Sequence, residues 1–148
     1  QIETENEKGN KIKLKFIGNV DPEILKYLYD IGLKEIIEVA GFLPYPEMIK
    51  QIFEADALLV CASEPRHVPG KLFEALRTGN PVIAFGDNND EVKSIIENAS
   101  AGMMFGYNDA GEDFFRNYIK TKPDLTLIKS YDRAEISKKF FEIINKQD

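Results

Sequence analysis

The apolar positions of this chain recur with a period that switches repeatedly between two and three to four. Lys11 to Gly18 reads KIKLKFIG, in which lysine alternates with Ile12, Leu14 and Phe16, and this predicts a strand ending in a glycine turn. Asp21 stands where a helix cap belongs, Pro22 fills a first helical position, and Ile24, Leu25, Leu28 and Ile31 are expected to form a buried stripe ended by Gly32. Ile36 to Ala40 predicts a second strand, and Pro46 opens a helix with Ile49, Ile52 and Phe53 on its apolar face. The continuous run Ala57 to Cys61, ALLVC, predicts a strand buried on both faces. A short helix over Pro69 to Thr78 ends at Gly79, and Pro81 to Phe85 predicts the fourth strand. Val92, Ile95 and Ile96 mark a helix, Gly102 to Phe105 a fifth strand, and Phe114, Phe115, Tyr118 and Ile119 another helix. Asp132 and Glu135 resemble a capping box for a last helix with the stripe Ile136, Phe140, Ile143 and Ile144. The lead-in, residues 1–10, is polar and carries no such pattern.

Strands and helices therefore alternate through short connections. That order predicts a doubly wound, Rossmann-like parallel sheet flanked by helices and joined by right-handed crossovers. No repeat or linker divides the chain, which predicts a single domain over residues 1–148. In such sheets ligands bind beyond the carboxyl ends of the strands. The loops after Ile17, Ala40, Cys61, Phe85 and Phe105 are the places to look for chemistry.

Charge narrows the ligand. A formal net charge of -6 argues against a general nucleic-acid surface, which needs clustered Lys and Arg. It leaves room for a small phosphate site built from backbone amides and one or two cations. The single cysteine, Cys61, allows no intrachain disulfide and fits a reducing, cytoplasmic compartment. No apolar run reaches the roughly 18 residues of a membrane span.

The loop from Ala62 to Pro69 is polar, holds the only histidine, His67, and runs into a helix starting at Pro69-Gly70. A helix amino end presents unpaired amides and partial positive charge to an anion. Gly70 permits close approach to the backbone, and Lys71 adds a cation. Gly70 and Glu74 share the helix face opposite Leu72 and Leu76. Glu74 thus lies one turn, roughly 6 Å, beyond the phosphate position, where a carboxylate can accept hydrogen bonds from a diol. By spacing alone, however, a glutamate on a polar helix face is more often simply solvated.

The stretch from Ala55 to Ala84, ADALLVCASEPRHVPGKLFEALRTGNPVIA, resembles the signature of retaining family 4 glycosyltransferases (group 1) of the GT-B fold. Its Pro-Gly-Lys-Leu-Phe-Glu form is similar to a bacterial branch acting in capsule, lipopolysaccharide and exopolysaccharide synthesis. Gly41-Phe42-Leu43-Pro44, Ile95 to Gly102, and Tyr131-Asp132-Arg133 resemble further family segments. The resemblance implies the nucleotide-sugar-binding half of a two-domain enzyme. It implies that Glu74 binds the donor ribose, that Gly70, Lys71 and Leu72 meet the diphosphate and sugar, and that Phe42 and Leu43 contact the base. The family's first glutamate falls eight residues before Glu74, where this chain has Arg66; Glu64 or His67 then takes over the donor-sugar contact. The catalytic residues stay unassigned.

The family domain begins with one further strand, carrying basic residues, that has no counterpart before Lys11. The chain, which opens at Gln1, is therefore expected to be a piece of a longer enzyme whose N-terminal domain completes the cleft, and to be inactive by itself. The vacancy left by that strand is expected to close, with 12–17 lying directly beside 57–61 in the flavodoxin-like order 2-1-3-4-5; a strand donated by a second copy is the alternative. The resemblance further implies a nucleotide-diphosphate sugar as substrate with no separate cofactor or metal. It implies a glycan or lipid-linked acceptor, and peripheral association with the inner membrane face for the whole enzyme.

Simpler readings stand beside these. Cys61 is a small core residue, and Asp87, Asp90 and Glu91 are acids favoured at a helix amino end rather than a metal site. The Phe114 and Phe140 stripes are helix core. A sugar-nucleotide epimerase of GT-B fold keeps the architecture and changes the reaction. A flavodoxin-like signalling module lacks its chemistry here, since Gly18-Asn19 and Ala62-Ser63 stand where a receiver needs acids.

Overall fold

A computed structural model describes residues 12–117 and 123–145. The polar lead-in, Lys11, Tyr118 and Ile119 lie outside the described residues. The chain divides between Gln51 and Ile52 into two compact units.

The first unit holds two parallel strands, β1 (Leu14–Ile17) and β2 (Ile37–Gly41), connected through helix α1 (Pro22–Asp30) and a single-turn 3-10 helix, Leu33–Ile36. Asp21 caps α1 through Oδ1, which accepts the Glu23 N–H at 2.8 Å, so the expected start is found. Gly32 adopts a left-handed φ of 90° and turns the chain out of α1. Lys15 stands directly opposite Glu38 in the register, and their side chains form an ion pair at 2.7 Å. The Lys15 hydrogen bond and charge hold the Glu38 carboxyl below its ordinary value. Among the described residues of this unit none is fully buried. Of the α1 stripe, Ile24 and Ile31 are exposed. Helix α2 (Tyr45–Glu54) follows, and the division falls within it.

The second unit is a three-stranded parallel sheet in which spatial order equals sequence order: β3 (Leu58–Cys61), β4 (Val82–Phe85), β5 (Gly102–Phe105). Crossover helices α3 (Gly70–Thr78) and α4 (Asp90–Asn98) join them. Successive strand residues point to opposite faces. Val60, Val82 and Ala84 pack with Leu72, Ala75 and Leu76 of α3 and Val92, Ile95 and Ile96 of α4 in one core. On the other face Ile83 and Phe105 pack with the fully buried Phe114 of α5 (Glu112–Asn117). Helices thus cover both faces, as a doubly wound α/β fold requires. Beyond the fifth strand the structure adds a short helix the periodicity did not suggest, α6 (Leu125–Ile128), capped by Asp124. The last helix, α7 (Arg133–Ile144), is capped by Asp132, whose Oδ1 accepts the Ala134 N–H at 2.8 Å.

Three expectations are corrected. Among the described residues the strands form two sheets, β1 with β2 and β3 with β4 and β5, in place of the single expected sheet of order 2-1-3-4-5. Closure would make β1 a central strand covered on both faces, and one face of β1 carries Lys15 in an exposed ion pair with Glu38. Second, β3 is not buried on both faces, because Leu59 is 51% exposed and Cys61 is exposed; Leu58, Val60 and Ala62 pack in the core shared with α3 and α4. Third, the α7 stripe is not core: Ile136, Phe140, Ile143 and Ile144 are all at least half exposed. A helical period establishes that a face is apolar, not that another element of the chain covers it. Among the described residues no helix is long and apolar enough to cross a membrane.

Candidate functional site

The register of the three-stranded sheet sets Cys61, Phe85 and Phe105 side by side at its carboxyl end. Three loops therefore start at one level, from Ala62, Gly86 and Gly106. The ladder continues one step into them: the Ala62 N–H donates to the Phe85 carbonyl (2.7 Å) and the Gly86 N–H to the Phe105 carbonyl (2.9 Å). Gly86 has to be glycine, because a Cβ there would land on the Ala62 carbonyl.

The first loop carries most of the residues singled out from the sequence. Ala62 is buried, and Ser63 to His67 are all exposed. A turn over Glu64–His67 is closed by the His67 N–H donating to the Glu64 carbonyl at 3.1 Å. Glu64, Pro65, Arg66 and His67 line a shallow, open depression of about 350 Å³. Val68 then packs partly against the core, and Pro69, extended at φ -67° and ψ 133°, leads into α3. Pro69 offers no side-chain cap to the first amides of α3. Gly70 is exposed, with open space where a Cβ would stand.

Within α3 the two faces separate as the sequence implies. Leu72, Ala75 and Leu76 are buried, whereas Gly70, Lys71, Glu74 and Arg77 are exposed. The Leu72 side chain is wholly buried, and its N–H donates to the Pro69 carbonyl at 2.9 Å. Among the described residues neither Lys71 nor Glu74 joins an ion pair. Phe42, 84% exposed, and Leu43, half-buried, lie after β2 in the first unit. The structure therefore gathers Glu64, His67, Gly70, Lys71 and Glu74 on the loop and helix after β3, and keeps Phe42 and Leu43 on a separate unit.

One residue of this region escaped sequence reasoning. Asn89, 2% exposed, is the N-cap of α4 and accepts the Val92 N–H at 3.1 Å. Its Nδ2 also donates to the carbonyls of Glu64 (2.8 Å) and His67 (3.0 Å), the two ends of the turn. The capping role was legible in an asparagine three residues before Val92; the second role joins positions more than twenty residues apart. Asp87 accepts the Tyr107 N–H at 3.1 Å, and Asp109 accepts the Gly106 N–H at 2.7 Å. Asp90 and Glu91 occupy the first turn of α4. Asp87 and Asp109 thus brace the loops at the sheet end, and among the described residues no group of three or more His, Cys, Asp or Glu could hold a metal ion.

The fold is a Rossmann-like α/β arrangement with its polar loops at the carboxyl ends of parallel strands. The chain belongs to the glycosyl transferases group 1 family, whose sequence profile matches residues 1–121. It is thus a glycosyltransferase domain of the GT-B type. No curated protein and no solved structure matches it.

Proposed function

We propose that this chain binds the nucleotide-diphosphate sugar donor of a glycosyltransferase acting in cell-surface polysaccharide synthesis, with a glycan or lipid-linked acceptor. The family match over residues 1–121 carries the reading, and the loop and helix after β3 supply the chemistry. The donor diphosphate lies at the amino end of α3, where uncapped amides and the helix dipole favour negative charge and Lys71 adds a cation. Glu74, exposed one turn further along, accepts hydrogen bonds from the ribose hydroxyls. Transfer breaks the bond between the anomeric carbon and the diphosphate, and the nucleotide leaves with an added negative charge. Donors already oriented toward that oxygen stabilise the charge as it develops. Glu64, Arg66 and His67, around the depression beside α3, face the sugar. The donor is the substrate and no further cofactor is needed.

The test is calorimetric titration of nucleoside diphosphates and their sugar conjugates into the protein and its Glu74→Ala variant. Loss of a charged hydrogen-bond partner should weaken binding by about 1–3 kcal/mol. A change within about 0.5 kcal/mol, as expected for a solvated surface glutamate, would remove Glu74 from the site.

A further inference from the structure

We propose that Asn89 is the positioning residue for the sugar-facing turn, fixing Glu64–His67 in one arrangement through the main chain alone. The proposal rests on the donor-binding reading above.

Asn89 is the one polar residue among the described side chains that is fully buried. A buried carboxamide is costly unless it is satisfied, and this one is. Both N–H bonds of Nδ2 are used, on the Glu64 and His67 carbonyls. Oδ1 is used on the Val92 amide. The residue before it, Asn88, takes a left-handed φ of 57°, a conformation asparagine tolerates better than most, and the chain turns there into α4. The same group thus starts a core helix and holds both ends of the turn. Its hydrogen bonds to the turn go to backbone oxygens, and the side chains of Glu64, Arg66 and His67 are exposed. A cap alone does not require asparagine. Serine and aspartate cap as well, but neither donates two hydrogen bonds to carbonyls.

The experiment therefore separates capping from clamping. Asn89→Ser keeps a capping oxygen and is too short to reach either carbonyl. Asn89→Asp keeps the cap and sets a carboxylate against two carbonyl oxygens; it serves as the second variant should the serine form fail to fold. Two readouts are used. The first is amide hydrogen exchange: His67 should exchange at least about tenfold faster in either variant, while the α4 amides stay protected, as expected for local opening. The second is titration of UDP with UDP-glucose, GDP with GDP-mannose, and ADP with ADP-glucose. For whichever pair binds the unaltered protein, the variants should bind the sugar conjugate about tenfold or more weakly and the bare diphosphate within about twofold, a loss typical of misplaced hydrogen-bond partners. Equal weakening of both ligands would overturn the proposal, since it would mark a role in the whole fold. So would unchanged exchange at His67, or unchanged binding of the conjugate. If the unaltered protein binds none of the six ligands, the donor reading itself fails and takes the proposal with it.

Discussion

Substituting alanine for Gly86 tests the packing at the carboxyl end of the second unit's sheet. Gly86 is buried, and a Cβ there would meet the Ala62 carbonyl oxygen, then its carbon and its Cβ at 3.2 Å. These are mostly main-chain atoms, which cannot rotate away as a side chain would. Relief requires β3 and β4 to part, and overpacking of this kind costs about 1–3 kcal/mol. The parting also strains the Ala62–Phe85 and Gly86–Phe105 hydrogen bonds; losing one adds about 1 kcal/mol. Against this, alanine restricts the unfolded chain and returns about 0.4–1 kcal/mol. The net expectation, by sum of those contributions, is a destabilisation of about 1–4 kcal/mol. Gly70→Ala provides the control, because its Cβ would enter open space, with no other part of the chain within 4 Å beyond its neighbours and its own helix. It should leave stability unchanged or raise it by up to about 1 kcal/mol. Urea unfolding followed by far-ultraviolet circular dichroism reads both as midpoints at unchanged slope. Gly86→Ala with the midpoint of the unaltered protein would refute the close-approach reasoning, and so would equal losses from the two variants.

Two further outcomes are expected. Phe114→Ala removes a fully buried ring from its cluster with Ile83 and Phe105 and should cost about 3–5 kcal/mol; the same urea experiment measures it, and a loss under about 1 kcal/mol would show that α5 is not anchored there. Glu38→Gln tests the cross-strand ion pair. The folded-state carboxyl is held below its ordinary value by Lys15, so its stabilising contribution is present above the unfolded value, about 4.3 for glutamate, and is lost as pH falls through the folded one. The unaltered protein should exceed the variant in stability at neutral pH and converge with it in acid, whereas a constant gap would show that the carboxylate is not the cause.

The sequence was most informative where one segment decides the outcome. Asp21, Asp132 and Gly79 mark helix ends by local chemistry, and they cap or terminate helices in the structure. The β5 boundaries were found because an apolar run between a helix and Gly106 leaves few choices. On α3 the sides of Leu72 and Glu74 followed from the helical period alone. Failures arose where two distant segments had to be matched. Nothing in KIKLKFIG states which strand lies beside it, although its lysines count against a central position. Leu59 and Cys61 look like core by composition, yet only their neighbours in space decide burial. Asn89 was legible as a cap and illegible as a clamp, because its other partners sit 22 and 25 positions upstream.

The clamp on the Glu64–His67 turn has a consequence for how this surface can change over generations. Every non-proline residue carries the same carbonyl, so an anchor that grips only carbonyls is indifferent to the side chains above it. Mutations at Glu64, Arg66 and His67 meet no steric or polar demand from Asn89 and leave the buried core of α3 and α4 untouched. Drift at those three positions is therefore cheap in stability, and selection on what they touch can act almost unopposed. Asn89 itself has no such freedom. The expected mark on related sequences is a variable turn facing an asparagine that stays fixed.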